Sequence, residues 1–218
     1  MNKSEKFWDQ SAGNYDNTEE KFEFIHRWSR ENTKKYLKET DVVLDYGCGT
    51  GTTACEISSL VKSIRAIDIS TAMIDIAKGK AAAGGVVNID FEQADIFDEQ
   101  FAEASFDVVL AFNMLHTVPD AEKVVYRTFE LLKPGGTFIS VTPCLGGKKS
   151  VFVTLQIWLV RLLLKVGVIP VPIRQLKSAD LDALVSDDRF DVIDTEEIFK
   201  GASSYFMVAK KGVLPSGS

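Results

Sequence analysis

From residue 42 onwards the chain alternates short runs of β-branched and other apolar residues with stretches of helical periodicity. This is the pattern of an α/β protein, a mainly parallel sheet with helices on both faces. The apolar runs predict strands at 42–46, 63–68, 87–93, 106–112 and 137–142. Helices are expected between them at 52–61, 71–83 and 120–132, where Pro134-Gly135-Gly136 stops the last helix and turns the chain into the fifth strand. Upstream, residues 19–38 read as one amphipathic helix, preceded by a segment bearing Phe7, Trp8 and Tyr15. Downstream, a short helix at 179–185 leads into the runs 190–199 and 205–210, a closing antiparallel hairpin. No repeat or linker divides the chain. The expectation is one domain over 1–212, with a helical cap at 1–40, an insertion at 143–177 and a loose tail at 213–218.

The insertion holds the most apolar stretch, residues 151–169, but Gln156, Arg161, Lys165 and Gly167 interrupt it. A spanning helix needs about 20 mostly apolar residues without such charges near its middle, so no transmembrane segment is expected. The whole chain has 218 residues, 45% hydrophobic and 26% charged, the balance of a packed globular domain. A net charge of -6 disfavours nucleic acid as a partner, because phosphate neutralisation needs a concentrated basic face. Cys48, Cys55 and Cys144 form neither a CxxC pair nor a metal cluster with His26 and His116, so no metal is expected. Three reduced thiols and a charged first segment, Met-Asn-Lys-Ser-Glu-Lys-Phe-Trp, fit a cytoplasmic protein without a secretion signal.

The strongest chemical signal is Val43-Leu44-Asp45-Tyr46-Gly47-Cys48-Gly49-Thr50-Gly51, a buried strand running into a glycine-rich turn and a helix. Such a turn lets a ligand approach the main chain, and the helix start offers unpaired N–H groups. Asp68 ends the second strand at about the spacing where an acidic residue accepts hydrogen bonds from ribose hydroxyls. A nucleotide-like ligand follows. A dinucleotide fingerprint read from Gly47 would require Gly at position 52, where Thr52 stands, so a dehydrogenase is disfavoured.

This nonapeptide resembles the first motif of class I, Rossmann-like S-adenosylmethionine-dependent methyltransferases of the small-molecule type, and further matches follow in order. Asp68-Ile69-Ser70 resembles the family's ribose-binding turn and Gln93-Ala94-Asp95-Ile96 its adenine-binding turn. Phe106-Asp107-Val108-Val109 and Leu131-Leu132-Lys133-Pro134-Gly135-Gly136 complete the set. The resemblance implies a seven-stranded, mostly parallel sheet of order 3-2-1-4-5-7-6 and S-adenosyl-L-methionine as cofactor. It implies that Asp45 with the Gly47, Cys48 and Gly49 loop holds the methionine end and Asp68 the ribose. Ile69 and Met73 would face adenine, with the Asp95 carboxylate and the Ile96 N–H on its edge. For Ile69, Met73 and Ile96, plain core packing is an equal reading. Tyr15 would cover the bound cofactor, or else pack at a helix end.

Asn113-Met114-Leu115-His116 falls where the resemblance places the sulfonium, and it lacks the tetrapeptide of enzymes that methylate DNA bases or glutamine amides. His116 is the candidate general base, the alternative being a structural histidine that braces the loop before Pro119. Methyl transfer by in-line displacement requires alignment and exclusion of water rather than a covalent nucleophile. The acceptor is expected between the N-terminal segment and the insertion. The insertion would then be a lid over an apolar pocket for a small organic molecule, or a helix that packs on the sheet or on a second subunit of a homodimer. Two other readings stay open: a non-catalytic protein that binds the same cofactor, and a membrane-surface enzyme that methylates a lipid.

Overall fold

The computed structural model describes residues 3–165, 169–186 and 189–212. The tail expected at 213–218 and residues 166–168 of the apolar stretch lie outside the described residues.

Seven strands form one sheet in the order expected, 3-2-1-4-5-7-6. β1 (Val42–Tyr46) lies between β2 (Ser63–Asp68) and β4 (Phe106–Phe112), parallel to both, and β3 (Ile89–Gln93) adds an edge beside β2. β5 (Leu132–Lys149) runs parallel to β4, with Val108 opposite Thr137 and Phe112 opposite Val141. β7 (Ala202–Lys211) joins β5 antiparallel and carries β6 (Phe190–Phe199) as the other edge. β6 exposes Asp191, Asp194, Glu196 and Glu197, charges that oppose pairing with a further strand.

Each face of the sheet has its own core. On one face, α4 (Thr52–Ile57) and α5 (Thr71–Ala83) bury Ala54, Ile57, Ile74 and Ala77 against Val43, Ile64 and Val108, with Trp28 of α3 (Glu23–Lys34) packed at the margin. On the other, α6 (Ala121–Leu131) and α8 (Ser178–Val185) bury Val124, Val125, Leu181 and Val185 against Leu44, Val109 and Phe138. The strands between them are buried on both sides, so they read as continuous apolar runs rather than alternations.

The single helix expected over 19–38 is broken. α1 (Lys3–Ala12) and α2 (Tyr15–Glu19) precede a 3-10 turn at Glu20–Phe22, and only then does α3 begin. The stripe that α3 buries is Ile25, Ser29 and Thr33, four residues apart, with Arg30 beside it. Phe22 and Phe24 are 45% and 48% exposed, so packing does not carry the helical register back across the turn. β3 begins two residues later than expected, at Ile89. Val87 is 94% exposed, and the Asn88 side-chain amide turns away to donate to the carbonyls of Ser58 and Val61. The helix expected to end at Leu132 ends at Leu131, where the backbone becomes extended.

Candidate functional site

The strand order reverses between β1 and β4, which opens a crevice at their carboxyl ends, the usual ligand position in open α/β sheets. The loop after β1 forms its floor. The N–H groups of Gly47 and Cys48 both donate to the Ile67 carbonyl, at 2.8 and 3.0 Å, which folds the loop over the end of β2. Gly47 has φ +72°, and a Cβ there would lie 3.2 Å from the Met114 Cβ. At Gly51, with φ +76°, a Cβ would come within 2.7 Å of the Ala77 Cβ, so this glycine lets α4 start hard against α5.

The crevice has two lobes. One, of about 290 Å³, lies between Asp68, Ile69, Met73 and Asp95 on one side and Trp8, Asn113 and Met114 on the other. The second, of about 360 Å³, lies between Asp45, Cys48 and Thr50 on the loop and the charged or polar Glu23, His26 and Arg30 on α3. They meet at Tyr15, Gly47, Gly49, Phe112 and Asn113. Eleven of the thirteen residues singled out from the sequence therefore line one lobe or both. Ile96 and His116 line neither; Ile96 is wholly buried in the core beneath α6.

The carboxylates of the crevice are held differently. Asp68 accepts from the Gly49 N–H at 3.0 Å and from the Ser70 N–H at 2.9 Å. Burial pushes its pKa up and these amide bonds counteract the push, leaving a fixed carboxylate with acceptor capacity to spare. Asp45 is 2% exposed, and its Oδ2 has no hydrogen-bond partner among the described residues. Burial, and secondarily the charge of Asp68, raise its pKa to about 7. A buried carboxylate left this way costs free energy until a donor, ideally a cation, reaches it. Asp95 accepts from the Phe97 N–H at 3.1 Å at the lip of the first lobe, and burial raises its pKa as well. Burial lowers the His116 pKa to about 4; its Nδ1 lacks a partner among the described residues, while its carbonyl accepts from the Arg174 N–H. Asn113, at the junction of the lobes, has φ +55°, a left-handed conformation that asparagine tolerates better than most residues.

Two carboxylates that no motif singles out hold the N-terminal cap in place. Asp9 of α1 accepts from the Ser70 hydroxyl at 2.6 Å and from the Ala72 N–H at 3.1 Å, at the start of α5. Asp16 of α2 accepts from the Thr50 hydroxyl at 2.6 Å and from Lys80 at 2.9 Å, and Lys80 also donates to Thr50 and Thr52. Burial opposes ionisation of Asp16, but the bonds from Lys80 and Thr50 outweigh it and hold its pKa below the usual carboxylate range. These two contacts seat Trp8 and Tyr15 over the crevice, with the Tyr15 ring 3.6 Å from where a Cβ on Gly49 would stand.

α7 (Val151–Lys165) occupies the insertion, and none of its described residues lines either lobe. Among the described residues no group of three or more His, Cys, Asp or Glu side chains is gathered as metal ligands would be. No described helix is long and apolar enough to cross a membrane.

Residues 37–159 match the family described as "Methyltransferase domain". The chain is 34% identical over 102 residues to the 27-O-demethylrifamycin SV methyltransferase of Amycolatopsis mediterranei, covering 46% of this chain and 38% of that protein. It is 35% identical over 130 residues to the ubiquinone/menaquinone biosynthesis C-methyltransferase UbiE of Bdellovibrio bacteriovorus, covering 57% and 55%. The matches span about half, or less, of these curated relatives. In structure it is similar to the YcgJ protein of Bacillus subtilis, with TM-score 0.70 and 18% identity over 86% of this chain and all of that one, a likeness of fold.

Proposed function

The chain belongs to the methyltransferase-domain family, and on that premise we propose that it moves the methyl group of S-adenosylmethionine to a small, apolar organic acceptor. One observation carries the reading: each lobe presents a buried carboxylate of its own kind, Asp45 in the second, whose Oδ2 has no hydrogen-bond partner among the described residues, and the amide-anchored Asp68 in the first. This suits a ligand with an ammonium at one end and a ribose diol at the other. In this reading Asp45 and the Gly47 to Gly49 backbone take the amino-acid end, Asp68 takes the ribose hydroxyls, and Ile69, Met73 and Asp95 take adenine. When bound, S-adenosylmethionine supplies an electrophilic methyl group.

The chain's own work is then placement and exclusion of water. Tyr15 and Asn113 sit where the lobes meet, the position from which the two reactants are aligned. Trp8, Phe112, Met114 and Val118 give the acceptor an apolar wall, and the names of the relatives, on demethylrifamycin and in quinone biosynthesis, also favour small organic acceptors over nucleic acid. His116 stays the candidate base. Kept neutral by burial, it gives an activity break near pH 4 and none near 7, and an unchanged kcat in His116→Ala removes it from the mechanism. The insertion adjoins the acceptor wall through Arg174, whose guanidinium donates to the Pro119 carbonyl, and a lid role predicts altered proteolysis of residues 143–177 when acceptor binds. Free Cys48, Cys55 and Cys144 suit a reducing cytoplasm.

The test is calorimetric titration with S-adenosylmethionine, S-adenosylhomocysteine and NADH, repeated on Asp68→Ala. Micromolar binding of the first two, weakened roughly a hundred-fold or more in the variant, is expected from the loss of charged hydrogen bonds to a diol. Binding of NADH alone, or of none of the three, overturns the reading.

A further inference from the structure

α7 carries two apolar faces, where a helix docked on a globular protein needs one. Val153, Ile157, Val160 and Leu164 are half-buried on the face turned towards the protein. At its start the Ser150 N–H donates to the Gly201 carbonyl at 2.7 Å, and near its end Leu164 shares a shallow groove with Phe7 and Gln10 of α1. The opposite face consists of Val151, Leu155, Trp158, Leu159 and Leu162, at positions i, i+4, i+7, i+8 and i+11, and these are 87, 63, 62, 51 and 44% exposed. Five large side chains in one continuous stripe are far more than the scattered exposed residues of an ordinary surface.

The charge around this stripe is one-sided. Residues 143–177 contain Lys148, Lys149, Arg161, Lys165, Arg174 and Lys177 and no Asp or Glu, in a chain whose net charge is -6. Arg161 and Lys165 border the stripe along one flank, exposed and without a partner among the described residues. Lys3 and Lys6 of α1 lie across the groove from the end of α7. A second copy of the chain meeting this face about a two-fold axis would bring no Asp or Glu of its own insertion to these cations, since an isologous contact uses the same patch on both copies. An apolar stripe carrying a tryptophan and bordered by cations is instead complementary to the headgroup and acyl boundary of an anionic bilayer.

We propose that α7 is a membrane-docking helix that lies in the surface of an anionic phospholipid bilayer, with Val151, Leu155, Trp158, Leu159 and Leu162 inserted and Arg161 and Lys165 among the headgroups. The proposal is independent of the reaction and of the cofactor. Docking in this pose sets α1, one wall of the crevice, close to the lipid, so an apolar acceptor dissolved in the bilayer has a short route to the site.

Flotation of the full chain with vesicles of phosphatidylglycerol and phosphatidylcholine, against phosphatidylcholine alone, tests it. The protein is expected to float with the anionic vesicles at least about ten-fold more than with the neutral ones, and to be released by salt. Leu155→Glu with Leu159→Glu, and separately Arg161→Glu with Lys165→Glu, should each abolish flotation while far-ultraviolet circular dichroism and thermal unfolding stay as in the parent. Absence of flotation overturns the proposal, as does flotation that neither variant weakens. A concentration-dependent dimer that the leucine variant dissolves, with no vesicle binding, also overturns it and assigns the face to a second copy.

Discussion

The N-terminal cap covers the crevice, the insertion reaches its rim only through Arg174 against the Pro119 carbonyl, and α7 is held by means opposite to those that hold the cap. The cap is tied by side-chain carboxylates: Asp9 onto the first turn of α5, Asp16 onto Thr50 and Lys80. Within the insertion, α7 leans on the protein through an apolar face and leaves a second apolar face in solvent. The difference separates two tasks. A cover that must seat Trp8 and Tyr15 in one position benefits from directional, charge-assisted bonds. A helix that meets a fluid partner needs area and charge, and directional bonds would serve it poorly.

The contrast breaks most visibly at the cap. Asp9→Ala combined with Asp16→Ala should weaken cofactor binding by roughly thirty-fold, since several charge-assisted bonds are lost and the cap is freed. Calorimetry measures the loss, and limited proteolysis should find new cleavage before residue 35. Leu155→Glu with Leu159→Glu should leave cofactor affinity unchanged; a matching loss there would erase the distinction.

Next in size is the pH dependence of cofactor binding. Asp45 has its folded pKa raised to about 7, so the ligand-free protein holds a proton there below that value. An ammonium brought against it favours the carboxylate, so binding at about pH 6 should release close to one proton, and less as the pH approaches 7. Affinity should then rise by up to about ten-fold per pH unit on the acid side and flatten near 7, as read by calorimetry in buffers of different ionisation enthalpy. In the ligand-free protein the sign is reversed: the folded state binds more protons than the unfolded one between about pH 4 and 7, so Asp45 favours stability on the acid side of that window.

Asp16 behaves in the opposite sense. Its folded pKa is depressed, so the stabilisation it gives is present above the unfolded pKa and is lost as pH falls through the folded one. Cleavage of the cap by a protease active across the range should therefore be constant between about pH 6 and 8 and should increase only in strong acid. The smallest effect belongs to α7: the two leucine substitutions should alter unfolding free energy by less than about 0.5 kcal/mol, because those side chains are exposed before and after the change. Denaturant unfolding checks this.

The parts legible in the sequence are those whose cause is local. β-branched runs marked the strands because doubly covered strands are apolar throughout, and the Asp45 to Gly51 turn with Asp68 marked the crevice because a backbone-hugging ligand fixes residue types and spacing. What stayed hidden depends on partners distant in the chain. Asp16 meets Lys80 only after α2 folds back over α5, and nothing near either residue announces the other. The break before α3 was hidden because the run from Glu19 to Lys38 keeps helical periodicity straight through it. α7 concealed its outward face because a helix apolar on both sides gives no hint of which side turns to solvent. At Ile96 the side chain packs in the core, as one of the two readings had it, while the N–H role that the resemblance implies belongs to the backbone of the turn around Asp95, which lies at the crevice.

Asn113 sets a rule for anyone who would redesign the acceptor pocket. Its left-handed backbone, fixed by the N–H bond of 2.7 Å to the Val141 carbonyl, admits glycine, asparagine or aspartate with ease and penalises a β-branched residue. A library randomised there would mostly return misfolded loops. Variation belongs at Met114, Thr117 and Val118, whose side chains shape the wall from ordinary backbone, so that chemical diversity can be explored without disturbing the residue at which both lobes meet.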